Sequence, residues 1–126
     1  MKIIIETIEH KDQRYDTCGD WQWNDEMDVL TIKVSQTNLY DHETILLIGV
    51  HELIEALLCR RSFTAEAEVD RFDLNWHPHN GLTEPGDDPD APYHSEHLFA
   101  SNIERLIAAR LGINWQQYER EIERLA

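Results

Sequence analysis

Cysteine is nearly absent, with only Cys18 and Cys59 in the chain. No C-x-x-C pair occurs, which excludes a zinc ribbon and a thioredoxin-like motif. Cys59 lies in an apolar run, where a free thiol acts as a small hydrophobe, and this usage fits a reducing, cytoplasmic compartment. Phosphate-cradling loops are missing too: neither G-x-x-x-x-G-K-[ST] nor G-x-G-x-x-G is present, and the nucleophile elbow G-x-S-x-G is absent. Basic residues are scarce, 11 against 25 acidic ones, for a formal charge of −14. They form no stripe interleaved with aromatics, so nucleic acid and anionic membranes are excluded as ordinary partners. Solubility alone accounts for such a charge; a cationic partner or a bound divalent metal would also suit it. Residues 1–10 hold too short an apolar stretch for a signal peptide. The longest apolar run, residues 45–59, is broken by His51, Glu52 and Glu55 and should not span a membrane.

What is present is enough for a core. A chain of 126 residues that is 41% hydrophobic fits a single domain over 1–126. Residues 2–8 are rich in β-branched side chains and read as a strand. Residues 21–23 and 29–35 flank Asn24-Asp25-Glu26-Met27-Asp28, a hairpin with a longer loop. Leu30, Ile32 and Val34 alternate with Thr31, Lys33 and Ser35, as in a half-buried strand.

From about Tyr40 the pattern turns helical and continues to about Arg61, with Asp41 early and Arg60 and Arg61 late, matching the helix dipole. A shorter helix is expected from Thr64, as N-cap, to about Trp76. Residues 78–92 carry Pro and Gly and read as loop. Ser95 is the expected cap of a third helix to Leu111, with Gly112 beyond its end. Asn114 and Gln117 look like a capping box for a last helix to Leu125. Strands first and then about four helices predict an α+β fold with a small, largely antiparallel N-terminal sheet.

In residues 45–59 the only polar side chains are His51, Glu52 and Glu55. A helix apolar on nearly all sides is normally surrounded by protein. Leu46, Leu53 and Leu57 mark one side of it. His51 and Glu55 are one turn apart, about 40° around the axis, with Glu52 about 100° from His51, beside the pair. A buried carboxylate must be neutralised, paired or metal-bound. An arginine such as Arg60, Arg105 or Arg110 would answer one acid; two acids and a histidine in two turns point to a stronger cation.

His51-Glu52-Leu53-Ile54-Glu55 resembles the active-site helix of zincin metallopeptidases, which carry H-E-x-x-H. That resemblance implies zinc held by His51, with Glu52 as the general base that activates water. Glu55 stands where the family has its second histidine, and a carboxylate there can still ligate zinc. The strand-then-helix order also resembles a minimal zincin core. A third ligand is then required. His97, near the start of the third helix, is the choice, with Glu104 seven residues on along the same face. His94 is the nearest competitor, and His94 or Glu104 could replace or join it. Tyr93, just before the third helix, could hydrogen-bond an oxyanion under this scheme or simply pack. His77 and His79 flank Pro78 in expected loop, and His10 and His42 have no supporting pattern. If the substrate is a peptide, residues 30–35 would offer a strand edge for it.

A wider stretch, from His51 through Glu84-Pro85-Gly86-Asp87-Asp88-Pro89, Ala91-Pro92-Tyr93 and Glu96-His97, looks like uncharacterised small proteins of bacterial and phage genomes; it implies no activity. Glu52 and Glu55, followed by Asp70 and Asp73, resemble instead the paired acidic motifs of all-α nucleotide pyrophosphohydrolases of the MazG type. That second resemblance implies magnesium held against a triphosphate, though Asp70 and Asp73 could equally be a solvated helix face with Val69, Phe72 and Leu74 inward. A third possibility is a non-enzymatic acidic binding protein of phage type. Residues 84–90 could chelate calcium but lack the EF-hand ladder, and a solvated loop is expected there.

Overall fold

The computed structural model describes residues 1–36 and 42–125. Three strands come first: β1 (Lys2–Glu9), β2 (Gly19–Trp23) and β3 (Val29–Gln36). Four α-helices follow among the described residues: α1 (His42–Arg61), α2 (Glu66–Asn75), α3 (His94–Leu111) and α4 (Trp115–Glu123). The α+β class is therefore as expected. Tyr40 and Asp41, the expected start of the first helix, lie outside the described residues.

The sheet order is β1-β3-β2. Strands β2 and β3 form the expected antiparallel hairpin. Its turn is held by Asn24, whose Oδ1 accepts from the backbone N–H groups of Asp28 (3.0 Å) and Val29 (2.9 Å). Strand β1 pairs with β3 in parallel, from Lys2↔Val29 to Glu9↔Gln36, so the sheet is mixed. The connection over residues 10–18 crosses the C-terminal end of β3, so that β2 starts where β1 stops and runs antiparallel on the other side of β3; a tight hairpin would have set β2 directly beside β1. The central place of β3 also removes residues 30–35 as an edge for a peptide: both its sides are already paired.

The alternation along β3 sends Leu30, Ile32 and Val34 to one face, all fully buried. They meet Trp21 from β2 and Leu47, Ile48, Ala56 and Cys59 from α1 in one apolar cluster. Burial of such a cluster contributes roughly 1.5–3 kcal/mol per large side chain. Helix α1 is less enclosed than its apolar composition implies. Leu46 is 54% and Leu57 39% exposed, because the sheet and α3 cover only part of its circumference. No described helix is long and apolar enough to cross a membrane.

Helix ends depart from expectation in two places. Helix α2 is capped at Ala65, not Thr64, whose hydroxyl instead lies 3.0 Å from that of Ser62. Helix α3 begins at His94 with Tyr93 as N-cap, so Ser95 falls inside its first turn. Its far end is as read: Gly112 takes the left-handed conformation (φ 74°) and ends it. Asn114 Oδ1 accepts from Gln117 N–H at 2.9 Å, the expected N-cap of α4. The Gln117 side chain reaches Glu121 instead of closing the box.

Candidate metal centre

Packing of α1 against α3 brings His51, Glu55 and His97 together in the interior, at 8%, 5% and 6% exposure. Their facing atoms form a small triangle. His51 Nε2 lies 3.2 Å from Glu55 Oε2 and 3.2 Å from His97 Nδ1, and His97 Nδ1 lies 3.0 Å from Glu55 Oε2. These three residues form a group whose ligand atoms are close enough to hold one metal ion.

Each ligand candidate is oriented from behind. His51 Nδ1 lies 2.8 Å from Glu104 Oε1, and the Tyr118 hydroxyl of α4 donates to the other oxygen of Glu104. His97 Nε2 lies 3.0 Å from Asp87 Oδ1. An ionised carboxylate only accepts, so these outer nitrogens carry protons; a ring with that proton alone is neutral and presents a lone pair inward, whereas a protonated ring presents a second N–H. Trp21 Nε1 donates to Glu55 Oε1 at 3.0 Å, leaving Oε2 for the triangle. With both rings neutral, two imidazole lone pairs and a carboxylate oxygen would converge with no donor between them. Such a set repels itself unless a cation, either a metal ion or protons taken up by the rings, sits among its members. A tetrahedral zinc with bonds of about 2.0–2.1 Å separates its ligand atoms by roughly 3.3 Å; the triangle is within a few tenths of an ångström of that.

The electrostatics tell the same story. Burial disfavours a charged ring, yet hydrogen bonds to Glu104 and Glu55 hold His51 well above the usual imidazole range. For His97, Asp87 and Glu55 outweigh burial and push it up to about 10. Burial works against the charge of Glu55 as well, but the two histidines drive its carboxyl down to about 2. The metal-free cluster is one that strongly retains positive charge.

Glu52 points elsewhere. Its carboxylate has no hydrogen-bond partner among the described residues and lines a cavity of about 320 Å³ that also reaches His51, Glu55 and His97. Burial and the charge of Glu55 hold its carboxyl well above the ordinary range. The backbone of Gly19 lets it lie there: a Cβ at that position would come within 2.7 Å of Glu52 Cγ.

The other candidates fall outside the triangle. His94 Nδ1 is taken by the carbonyl of Gly86 at 2.9 Å, and Glu104 stands behind His51. His10 lies between Ser35 and Asp16. His77 is exposed, and His79 pairs with Asp88 at 3.4 Å. Of His42 the side chain is outside the described residues. The Tyr93 hydroxyl donates a hydrogen bond to Asp73 and so is not free to meet an oxyanion. Asp70 is paired with Arg14 at 3.0 Å, and Asp73 accepts from both Tyr15 and Tyr93. Neither joins Glu52 and Glu55 in a metal-holding group among the described residues. Leu74, expected inward, is 61% exposed, since α2 turns its Asp70 and Asp73 side toward the cavity.

Residues 84–90, expected as solvated loop, are part of the centre. Gly86 is buried so tightly on His97 that a Cβ would meet its ring at 2.4 Å. Asp87 and, at 3.8 Å, Glu84 approach His97 Nε2, and Asp88 is tied to Trp76 Nε1 at 3.0 Å. Glu84, Asp87 and His97 form a second, more exposed group of potential ligand atoms. The Pro85-Gly86-Asp87 sequence was the available signal, because a glycine next to an acid invites close backbone approach. Trp21 and Tyr118 gave no sequence signal.

Replacing Gly86 by Ala should therefore displace His97 and weaken zinc binding, as should Glu104→Gln, whose neutral amide oxygen is a weaker acceptor for His51 Nδ1–H. Each loss is expected at about 10–100-fold in Kd by calorimetric titration, with far-ultraviolet circular dichroism unchanged. Unaltered affinity in both would mean that these contacts do not orient ligands.

Compared with known proteins, the chain matches no protein family, no curated protein and no solved structure.

Proposed function

We propose that this protein is a zinc-dependent hydrolase of a minimal zincin-like kind, with His51, Glu55 and His97 as ligands and Glu52 as general base. One observation carries the proposal: two imidazole nitrogens and the Glu55 oxygen meet within 3.0–3.2 Å of one another. Two nitrogen donors and one oxygen suit zinc, whereas magnesium prefers oxygen throughout. A bound zinc would supply Lewis-acid polarisation of a carbonyl and lower the pKa of water. Glu52, unpartnered and facing the same cavity, would take the proton from that water and hand it to the leaving group.

Elemental mass spectrometry on untagged protein is the test. The parent and Glu52→Gln should carry near-stoichiometric zinc, and His51→Ala/His97→Ala should carry none. Amide hydrolysis, screened with a peptide library, should fall at least about 100-fold in Glu52→Gln. The competing view is a metal-free network in which protons on the two rings hold the fold together, favoured by the upward shifts of His51 and His97. A parent without transition metal, even after zinc dialysis, would establish that view and end the hydrolase proposal.

A further inference from the structure

The cavity that Glu52 faces has a charge pattern of its own. Carboxylates dominate its lining, and Arg105 is the only arginine or lysine among the described lining residues. Arg105 forms no ion pair with a described carboxylate of that wall; its guanidinium stacks over Trp115, 5.5 Å from the ring centroid. Asp20 and Asp70 are answered by Arg14, and Glu55, Glu104 and Asp87 are engaged by the two histidines. Apart from the exposed Glu119 and Glu123, Glu52 and Asp73 are the lining carboxylates left without a cationic partner among the described residues. A divalent metal would offset only part of this charge.

Asp73 is the better built of the two to receive a ligand. Tyr15 Oη donates to its Oδ2 at 3.0 Å, and Tyr93 Oη donates to its Oδ1. The two phenols fix the carboxylate plane from different elements, one before β2 and one at the head of α3. They carry no charge, and each carboxylate oxygen keeps a further acceptor site. The result is an oriented anion at the wall of a cavity large enough for a side chain, with Trp21 and Trp115 alongside.

We propose that the cavity takes a substrate bearing a positive group, an amine or guanidinium such as a basic amino-acid side chain, and that Asp73 binds that group. The inference rests on the cavity being the substrate site of the metal centre described above. The same field repels polyanions, so a nucleoside triphosphate is the wrong class of ligand for it.

The test uses a pair of probes alike in shape and different in charge, L-argininamide and L-citrullinamide. Binding to the zinc-loaded full chain is followed by tryptophan fluorescence, because Trp21 and Trp115 border the cavity. Argininamide should saturate the signal with at least about tenfold higher affinity than citrullinamide, and Asp73→Asn should cut that preference to about threefold or less. Asp25→Asn removes the same charge in the exposed β2–β3 turn and should leave the preference intact. Equal affinity for the two probes, no saturation by argininamide, or an equal loss in Asp25→Asn would each overturn the inference. A separate zinc titration distinguishes the two proposals. Zinc binding without a preference overturns only the substrate class; a preference in protein that takes no zinc supports charge selection by the cavity and overturns the metal centre.

Discussion

Zinc in thousandfold excess over its Kd is expected to raise the melting temperature of the metal-free protein by roughly 12–20 °C. A ligand at that excess contributes about 4 kcal/mol when it binds only the folded state, and roughly 3–5 °C per kcal/mol holds for chains of this size. The cluster has no counterpart in the unfolded chain, where residues 51 and 97 are far apart, so the binding energy becomes folding energy. The His51→Ala/His97→Ala variant should show no rise. Its own metal-free stability will be lower by about 3–5 kcal/mol, because Glu55, Glu104 and Asp87 lose buried partners. The informative quantity is therefore the shift with zinc within each variant, read by scanning calorimetry against a chelator blank. A parent whose transition does not move with zinc has no such site.

The second large effect is a reversal of pH dependence on metal binding. In the metal-free protein the raised pKa values of His51 and His97 contribute stability that is full below their ordinary 6.5. That stability is lost as the pH climbs, through about 10 for His97. Glu55 works in the opposite sense. Its depressed pKa contributes stability above 4.5 that disappears as the pH falls toward 2. Burial has raised Asp73 to about 6, so its ionisation above the ordinary 3.8 weakens the fold as the pH rises, and Glu52 acts in the same direction. Metal-free protein should thus be most stable near pH 4.5–6.5 and soften steadily toward pH 9. Zinc requires both rings to be neutral, so the gain in melting temperature on adding it should grow from pH 5 to pH 8. Melting curves with and without zinc across that range should diverge; parallel curves would mean that zinc does not compete with the ring protons.

Much of the centre was legible along the chain because it depends on helix periodicity. His51 and Glu55 share a face through i,i+4 spacing, and two charged groups on an apolar helix could be recognised without knowing what packs against them. Gly112 and the Asn114 cap were equally legible, since both are properties of a few consecutive residues. His97 is legible as a third ligand candidate near the start of the third helix, and α1–α3 packing brings it within 3.2 Å of His51.

The sequence by itself determined the order of strands and helices, the ladder of buried residues on β3, and the pair of facing groups on α1. Tertiary structure alone decided that β1 runs parallel to β3, leaving no free edge there for a peptide. It also decided that Tyr93 serves Asp73, that Gly86 presses on His97, and that Trp21, Glu104 and Tyr118 hold the ligands from behind. Those contacts join residues from 11 to 53 positions apart. The physical reason for the division is range. Backbone geometry repeats every two or 3.6 residues and marks the sequence locally, whereas a proton, a lone pair or a missing Cβ acts over a few ångströms, between neighbours that only folding brings together.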